Sequence, residues 1–200
     1  IQRDKQKLYY NGPMFRRERP QKGRFRQFQH FGVEVFGYPS GVIDAELIAM
    51  TYKMWQTLKL PNIQLLVNYL GSHQTRKQYH EILSQYWQKN IDQLSDAEQT
   101  RARENPLRLL DSKNPDIQTL IQQAPTITQH LSDEEQQSYQ MILNALSQLN
   151  IPYTESNQLV RGLDYYSDFI FEWVSPDLGS QSTICGGGRY APLVKQMGGE

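Results

Sequence analysis

A single cysteine, Cys185, occurs in the 200 residues. That excludes an internal disulfide framework and any multi-cysteine zinc site, and makes a reducing, cytoplasmic setting the default. No apolar run approaches the roughly 20 residues needed to span a bilayer, and no secretory pattern opens the chain, so no membrane partner is expected. The four histidines, at 30, 73, 80 and 130, lack metal-ligand spacing. Also missing are the dinucleotide fingerprint G-x-G-x-x-G, the phosphate-binding G-x-x-x-x-G-K-S/T, the nucleophile elbow G-x-S-x-G and any repeat with a period of tens of residues. Formal net charge is zero as well, with 21 basic and 21 acidic residues.

That neutrality hides an asymmetry. Residues 1–40 carry nine Lys/Arg against three Asp/Glu, and residues 41–200 carry twelve against eighteen. The densest stretch, FRRERPQKGRFRQF (15–28), holds six basic residues, Arg16, Arg17, Arg19, Lys22, Arg24 and Arg26, around one acid, Glu18. Clustered like charge repels itself unless something neutralises it, which suggests a polyanion at this end. A solvated charge run is the plain alternative.

With 38% hydrophobic residues the chain buries a sizeable core. Gln6 to Glu18 and Phe25 to Tyr38 are rich in aromatic and β-branched residues and are joined by RPQKG, which predicts a hairpin of two long strands with a basic tip. Period two then puts Phe28, His30 and Glu34 on one face, with Gly32 leaving room, and Phe31, Val33 and Val35 on the other. Ile43, Leu47, Met50, Met54 and Leu58 predict a helix over 42–59, and IQLLVNYL (63–70) a buried strand. Every strong pattern in 72–150 is helical, with stripes at Tyr79, Ile82, Leu83, Tyr86 and Trp87 and at Tyr139, Ile142, Leu143, Leu146 and Leu149. Asn105-Pro106, Asn114-Pro115 and the Ser132/Glu135 capping box mark starts within it. Strand character returns at Gln158 and continues through DFIFEWV and TICGGGRY. The expected fold is α+β: an antiparallel sheet core in two parts, 1–71 and 151–200, separated by a helical insertion over 72–150. The opening IQRDKQKLYY has no initiator Met and KQMGGE closes no element, so the chain is expected to be an internal piece of a longer protein, inactive alone.

Three stretches could carry chemistry. An arginine fork donates paired hydrogen bonds to oxyanions and stays charged, so Arg16 and Arg24 suit a polyphosphate, and Phe28 offers a flat face to a purine. A solvated loop or nonspecific nucleic-acid patch explains the cluster equally well, but Glu18 and Glu34 on the site faces favour a built site, since buried acids need partners. LVRGLDYYS (159–167) combines a cation, a close backbone approach and phenols, or is a turn packed by two core tyrosines. CGGGRY (185–190) reads as a strand whose backbone something approaches closely, or as a bulge.

GPMFRRERPQKGRFRQFQHFGVEVFG (12–37), LVRGLDYYSDFIFEW (159–173), GGGRY (186–190) and DSKNP (111–115) together resemble the class II aminoacyl-tRNA synthetases, and among them the histidine-specific family. The first resembles the second motif of the class; RGLDYY after a helical insertion is more specific. The resemblance implies an antiparallel core of the class II type, activation of L-histidine by ATP to histidyl-adenylate, and transfer to tRNA(His) by a homodimer. It places Arg16 on the α-phosphate and the histidine carboxylate, Glu18 at the adenine edge, Arg24 on the terminal phosphate and Phe28 against the base. Glu34 would accept from the imidazole, Tyr166 would bind its other nitrogen, and Tyr165 and Tyr190 would line the pocket. Arg161 would be an extra catalytic arginine on the α-phosphate. Mg2+ is expected with the ATP, with no ligand assignable. His30 stands where the family commonly has Gln facing the substrate amine, and Ala191 stands where it has Asp. The class's first and third motifs are not found in these residues. Two alternatives are a noncatalytic regulatory subunit of the first enzyme of histidine biosynthesis and a plain RNA-binding module.

Overall fold

The computed structural model describes residues 5–20, 24–160, 165–178 and 182–199. Strands β1 (Gln6–Phe15) and β2 (Gln27–Phe36) form the antiparallel hairpin. Helix α1 (Val42–Leu58) leads to β3 (Gln64–Tyr69), and the helical stretch follows: α2 (His73–Lys89), α3 (Asp96–Glu104), α4 (Pro106–Leu110), α5 (Gln118–Gln123) and α6 (Asp133–Gln148). The chain then returns through β4 (Thr154–Glu155), β5 (Ser167–Val174) and β6 (Thr183–Arg189) to α7 (Ala191–Gln196). The second sheet has the order β4-β3-β5-β6; only the short β3–β4 pair is parallel. Among the described residues no helix is long and apolar enough to cross a membrane.

Three buried clusters organise these elements. Leu65, Val67, Phe169, Phe171 and Trp173 point to one face of the sheet, where Ala45 and Ile48 of α1 and Tyr139, Ile142, Leu143 and Leu146 of α6 cover them. The second cluster lies within the helical stretch, Tyr79, Leu83 and Trp87 of α2 packing on Ala102, Leu109, Leu110, Ile117 and Ile121. Its polar edges are closed by the Trp87 indole donating to the Pro106 carbonyl at 3.0 Å and the Tyr79 hydroxyl to that of Pro125 at 2.8 Å. The third, Leu70, Leu159, Tyr166 and Ile170, lies on the opposite face of the sheet. Helix α6 thus sits last in the helical stretch but packs with the sheet.

Two local expectations need correction. The buried side of α1 is Ile43, Ala45, Ile48 and Thr51, whereas Met50 and Leu58 are exposed. The helix is apolar on more than one side, and Trp173 selects between them: its indole donates to Thr51 Oγ1 at 2.8 Å and its ring stacks on Tyr52. Strand character does not return at Gln158; β4 is already over at Glu155, and Leu159 closes a turn on Ser156 at 3.0 Å.

The capping signals correspond to real termini, and one does more than cap. Glu135 Oε2 accepts from the Ser132 backbone N–H at 2.8 Å and the Thr75 hydroxyl at 2.8 Å, while Oε1 accepts from the Ser72 N–H at 2.6 Å. One carboxylate therefore joins the N-termini of α2 and α6. Burial pushes its pKa up, but these donors outweigh burial and hold it below the ordinary 4.5. A carboxyl depressed in the folded state contributes stability above its unfolded pKa and loses it as pH falls through the folded value. Glu135→Gln is expected to cost about 1 kcal/mol at neutral pH, given partial solvent screening, and to flatten the loss of stability below about pH 4.5. Urea melts across that range check both.

Candidate active site

The site begins with the hairpin register. Tyr10 lies opposite Gly32, Gly12 opposite His30 and Met14 opposite Phe28, so the even face of β2 gathers Phe28, His30 and Glu34. The room at Gly32 is taken by Tyr10, whose ring a Cβ there would strike. Tyr10 meets the His30 ring edge-on at 5.3 Å, and His30 lies 6.2 Å from Phe28. Tyr10 was not singled out by the sequence, because its partner depends on a register that the basic loop conceals.

Toward the hairpin tip the Arg16 guanidinium lies over the Phe28 ring, 3.7 Å from its centre, in a cation–π contact. Its Nε is shielded from solvent without a hydrogen-bond partner. Arg24 Nη2 pairs with Glu18 Oε2 at 2.7 Å, and Arg26 Nε donates to the Glu18 carbonyl at 3.3 Å. The oxyanion-seeking side chains are thus gathered at one end, resting on the site's own ring and acid.

At the other end Glu34 faces a group of phenols. The Tyr190 hydroxyl donates to Glu34 Oε2 in a short hydrogen bond. Tyr165 lies 6.3 Å from Tyr190, nearly perpendicular, and 4.6 Å from Tyr166. Burial first, then the Glu34 hydrogen bond and charge, raise the Tyr190 pKa; burial followed by Glu34 and Tyr166 raises that of Tyr10. Both phenols are therefore protonated donors at neutral pH. Gly188 permits this packing: a Cβ there would stand 2.7 Å from Ile170, 2.8 Å from the Phe169 carbonyl and 3.0 Å from Tyr166. The close approach expected of the glycine strand is made by the neighbouring strand and by Tyr166.

Tyr190 reaches Glu34 because its neighbour is pinned. Arg189 Nε donates to Asp44 Oδ1 at 2.9 Å and Nη2 to Oδ2 at 3.0 Å and to the Pro39 carbonyl at 2.7 Å. Asp44 also accepts from the Gly41 N–H at 2.8 Å at the start of α1. The pair ties the end of β6 to the segment following the hairpin. Neither residue announces this in sequence, since 145 positions separate them.

Of the residues singled out beforehand, Arg16, Glu18, Arg24 and Phe28 come together at the tip, and Glu34, Tyr165, Tyr166 and Tyr190 at the base, with His30 between. Arg161 lies outside the described residues. Among the described residues no group of three or more His, Cys, Asp or Glu could hold a metal ion, so no residue is assigned to Mg2+.

A mainly antiparallel sheet backed by helices, an arginine-bearing hairpin beside it and a helical segment between its strands form the arrangement expected of a class II aminoacyl-tRNA synthetase core. A family model for histidyl-tRNA synthetase matches residues 2–200. The histidine–tRNA ligase of Hydrogenovibrio crunogenus is 51% identical over 195 residues, covering 98% of this chain and 46% of that protein. That of Ruthia magnifica subsp. Calyptogena magnifica is 49% identical over 194 residues, 97% of this chain and 46% of that protein. The crystal structure of apo S. aureus histidyl-tRNA synthetase matches at 37% identity with a TM-score of 0.71, over 97% of this chain and 46% of that one. The chain belongs to the histidyl-tRNA synthetase family. It spans about half the length of the curated relatives it matches.

Proposed function

We propose that the full-length protein is a histidine–tRNA ligase that activates L-histidine with ATP and passes the histidyl group to tRNA(His). The observation that carries this reading is one continuous hairpin face with an arginine–phenylalanine pair at one end and a carboxylate among phenols at the other. The first end suits a nucleotide triphosphate, the second an imidazole. A carboxylate oxygen of histidine attacks the α-phosphorus, the bond to pyrophosphate breaks, and histidyl-adenylate remains. A terminal ribose hydroxyl of the tRNA then attacks the acyl carbon and AMP leaves. Negative charge gathers at one phosphorus, so positioning and preorganised cations dominate such a site.

Arg16 is assigned to the α-phosphate and the histidine carboxylate, Glu18 to the adenine edge and Arg24 to the terminal phosphate. Phe28 stacks on the purine, one face of its ring being covered by Arg16. Glu34 accepts from one imidazole nitrogen, Tyr166 engages the other, Tyr165 and Tyr190 shape the walls, and His30 faces the substrate amine. Arg161 is assigned as the second cation on the α-phosphate. Within residues 72–150, the helical cluster ahead of α6 is proposed as the inserted unit directed at the tRNA acceptor arm, α6 being packed on the sheet, and the full-length protein as a cytoplasmic homodimer. Charging of tRNA(His) with labelled histidine by the full-length protein is the expected result; ATP-dependent charging with a different amino acid would overturn the reading.

A further inference from the structure

We propose that Arg76, in the first turn of α2, is a positioning residue that sets the amino-acid pocket from the helical segment. The inference rests on the proposed histidine activation. Arg76 Nη1 donates to the backbone carbonyl of Tyr166 at 2.7 Å, across 90 residues of sequence. Its Nε is shielded from solvent without a hydrogen-bond partner. Shielding even part of a guanidinium has a cost, which the Tyr166 carbonyl and the charge of the nearby Asp168 carboxylate offset. An arginine at a helix N-terminus also opposes the helix dipole. Packing alone would be served by an apolar side chain.

What the contact controls is the place of Tyr166. This residue is 7% exposed and packs with Leu70, Leu159 and Ile170. Its phenol lies close enough to Tyr10 and Tyr190 to raise the pKa of both. The surrounding backbone is irregular: the β5–β6 register shifts between Ser167 and Ile170, and Asp168 has a positive φ of 53°. Ser167 still pairs with Arg189, but the residues before it, Tyr165 and Tyr166, lie outside the ladder. Arg76 supplies a fixed point for them. The same turn of α2 is anchored independently by Glu135, which holds Ser72 and Thr75, while ahead of the helix the Leu70 N–H donates to the Asp168 carbonyl at 2.6 Å. Movement of α2 would pull the Tyr166 backbone, whereas the hairpin tip carrying Arg16 and Arg24 would not feel it. The expected signature is thus a change in histidine affinity without one in ATP affinity.

The test uses the full-length protein and histidine-dependent ATP–pyrophosphate exchange. Arg76→Met, which keeps length and loses the donor, is expected to raise the KM for histidine about tenfold and leave the KM for ATP within about twofold. Arg76→Lys, which restores a cationic donor, should recover most of that loss. Arg76→Gln, too short to span the contact but polar, should behave as Arg76→Met and serves if the latter does not fold. Unchanged histidine KM in a folded variant, or equal rises for histidine and ATP, would overturn the positioning role while leaving the proposed function standing. Wild-type protein without histidine-dependent exchange would overturn the function and the role with it.

Discussion

Arg16→Ala in the full-length protein is expected to slow histidine-dependent ATP–pyrophosphate exchange about 10²- to 10³-fold, the usual effect of removing one preorganised donor from a developing oxyanion. The guanidinium sits on a half-buried hairpin face, over Phe28 and outside all three hydrophobic clusters. Its loss therefore removes charge from the site without opening a cavity, and the melting temperature should hold. Arg16→Lys should recover little, because a point charge lacks the planar fork that grips two oxygens at once. Exchange near the wild-type rate in Arg16→Ala would remove Arg16 from the chemistry. Equal loss of rate and fold would make it a structural residue.

Glu34→Gln is expected to raise the KM for histidine about 10- to 100-fold with little change for ATP. Glutamine keeps the shape and still offers an oxygen to the Tyr190 hydroxyl, so the phenol wall survives. What it loses is the charge proposed to accept an imidazole N–H, and hydrogen bonds to charged groups contribute about 1.5 to 3 kcal/mol each. Tyr190→Phe tests the same pocket from the other side. It frees the Glu34 carboxylate, so histidine should bind no worse than about twofold if the tyrosine only shapes the wall. A histidine KM unmoved by Glu34→Gln would mean that the imidazole is read elsewhere.

Much of this site was legible because strand periodicity is local. Phe28, His30 and Glu34 share a face for no reason beyond their even spacing in an extended segment, and Gly32 among them leaves room that Tyr10 fills. That the neighbour is Tyr10 depends on cross-strand register, set by a loop whose length in residues does not fix its turn. The capping box at Ser132 was equally local, but the reach of Glu135 to Ser72 and Thr75 was not. Arg189 with Asp44 and Arg76 with the Tyr166 carbonyl are contacts of the tertiary fold alone; Asp44 and Arg76 read in sequence as surface charges. The α1 stripe misled because Leu47, Met50, Met54 and Leu58 satisfy helical spacing as well as the side that Trp173 actually covers.

The charge asymmetry also has a physical reading. The basic tip is partly neutralised by its own acid and ring, Arg24 on Glu18 and Arg16 on Phe28, which lowers the cost of holding like charges together before a nucleotide arrives. A triphosphate bound as proposed is expected to draw both arginines off these partners. A regulatory relative without catalysis could bind histidine at Glu34 but would have no need to exchange pyrophosphate.

The decisive measurement is therefore ATP–pyrophosphate exchange by the full-length protein with each of the twenty amino acids in turn. Stimulation by histidine alone, slowed about 10²- to 10³-fold in Arg16→Ala and shifted to high histidine concentration in Glu34→Gln, is the expected result. Exchange driven by another amino acid, or histidine binding with no exchange at all, would contradict a histidine-activating site on this hairpin.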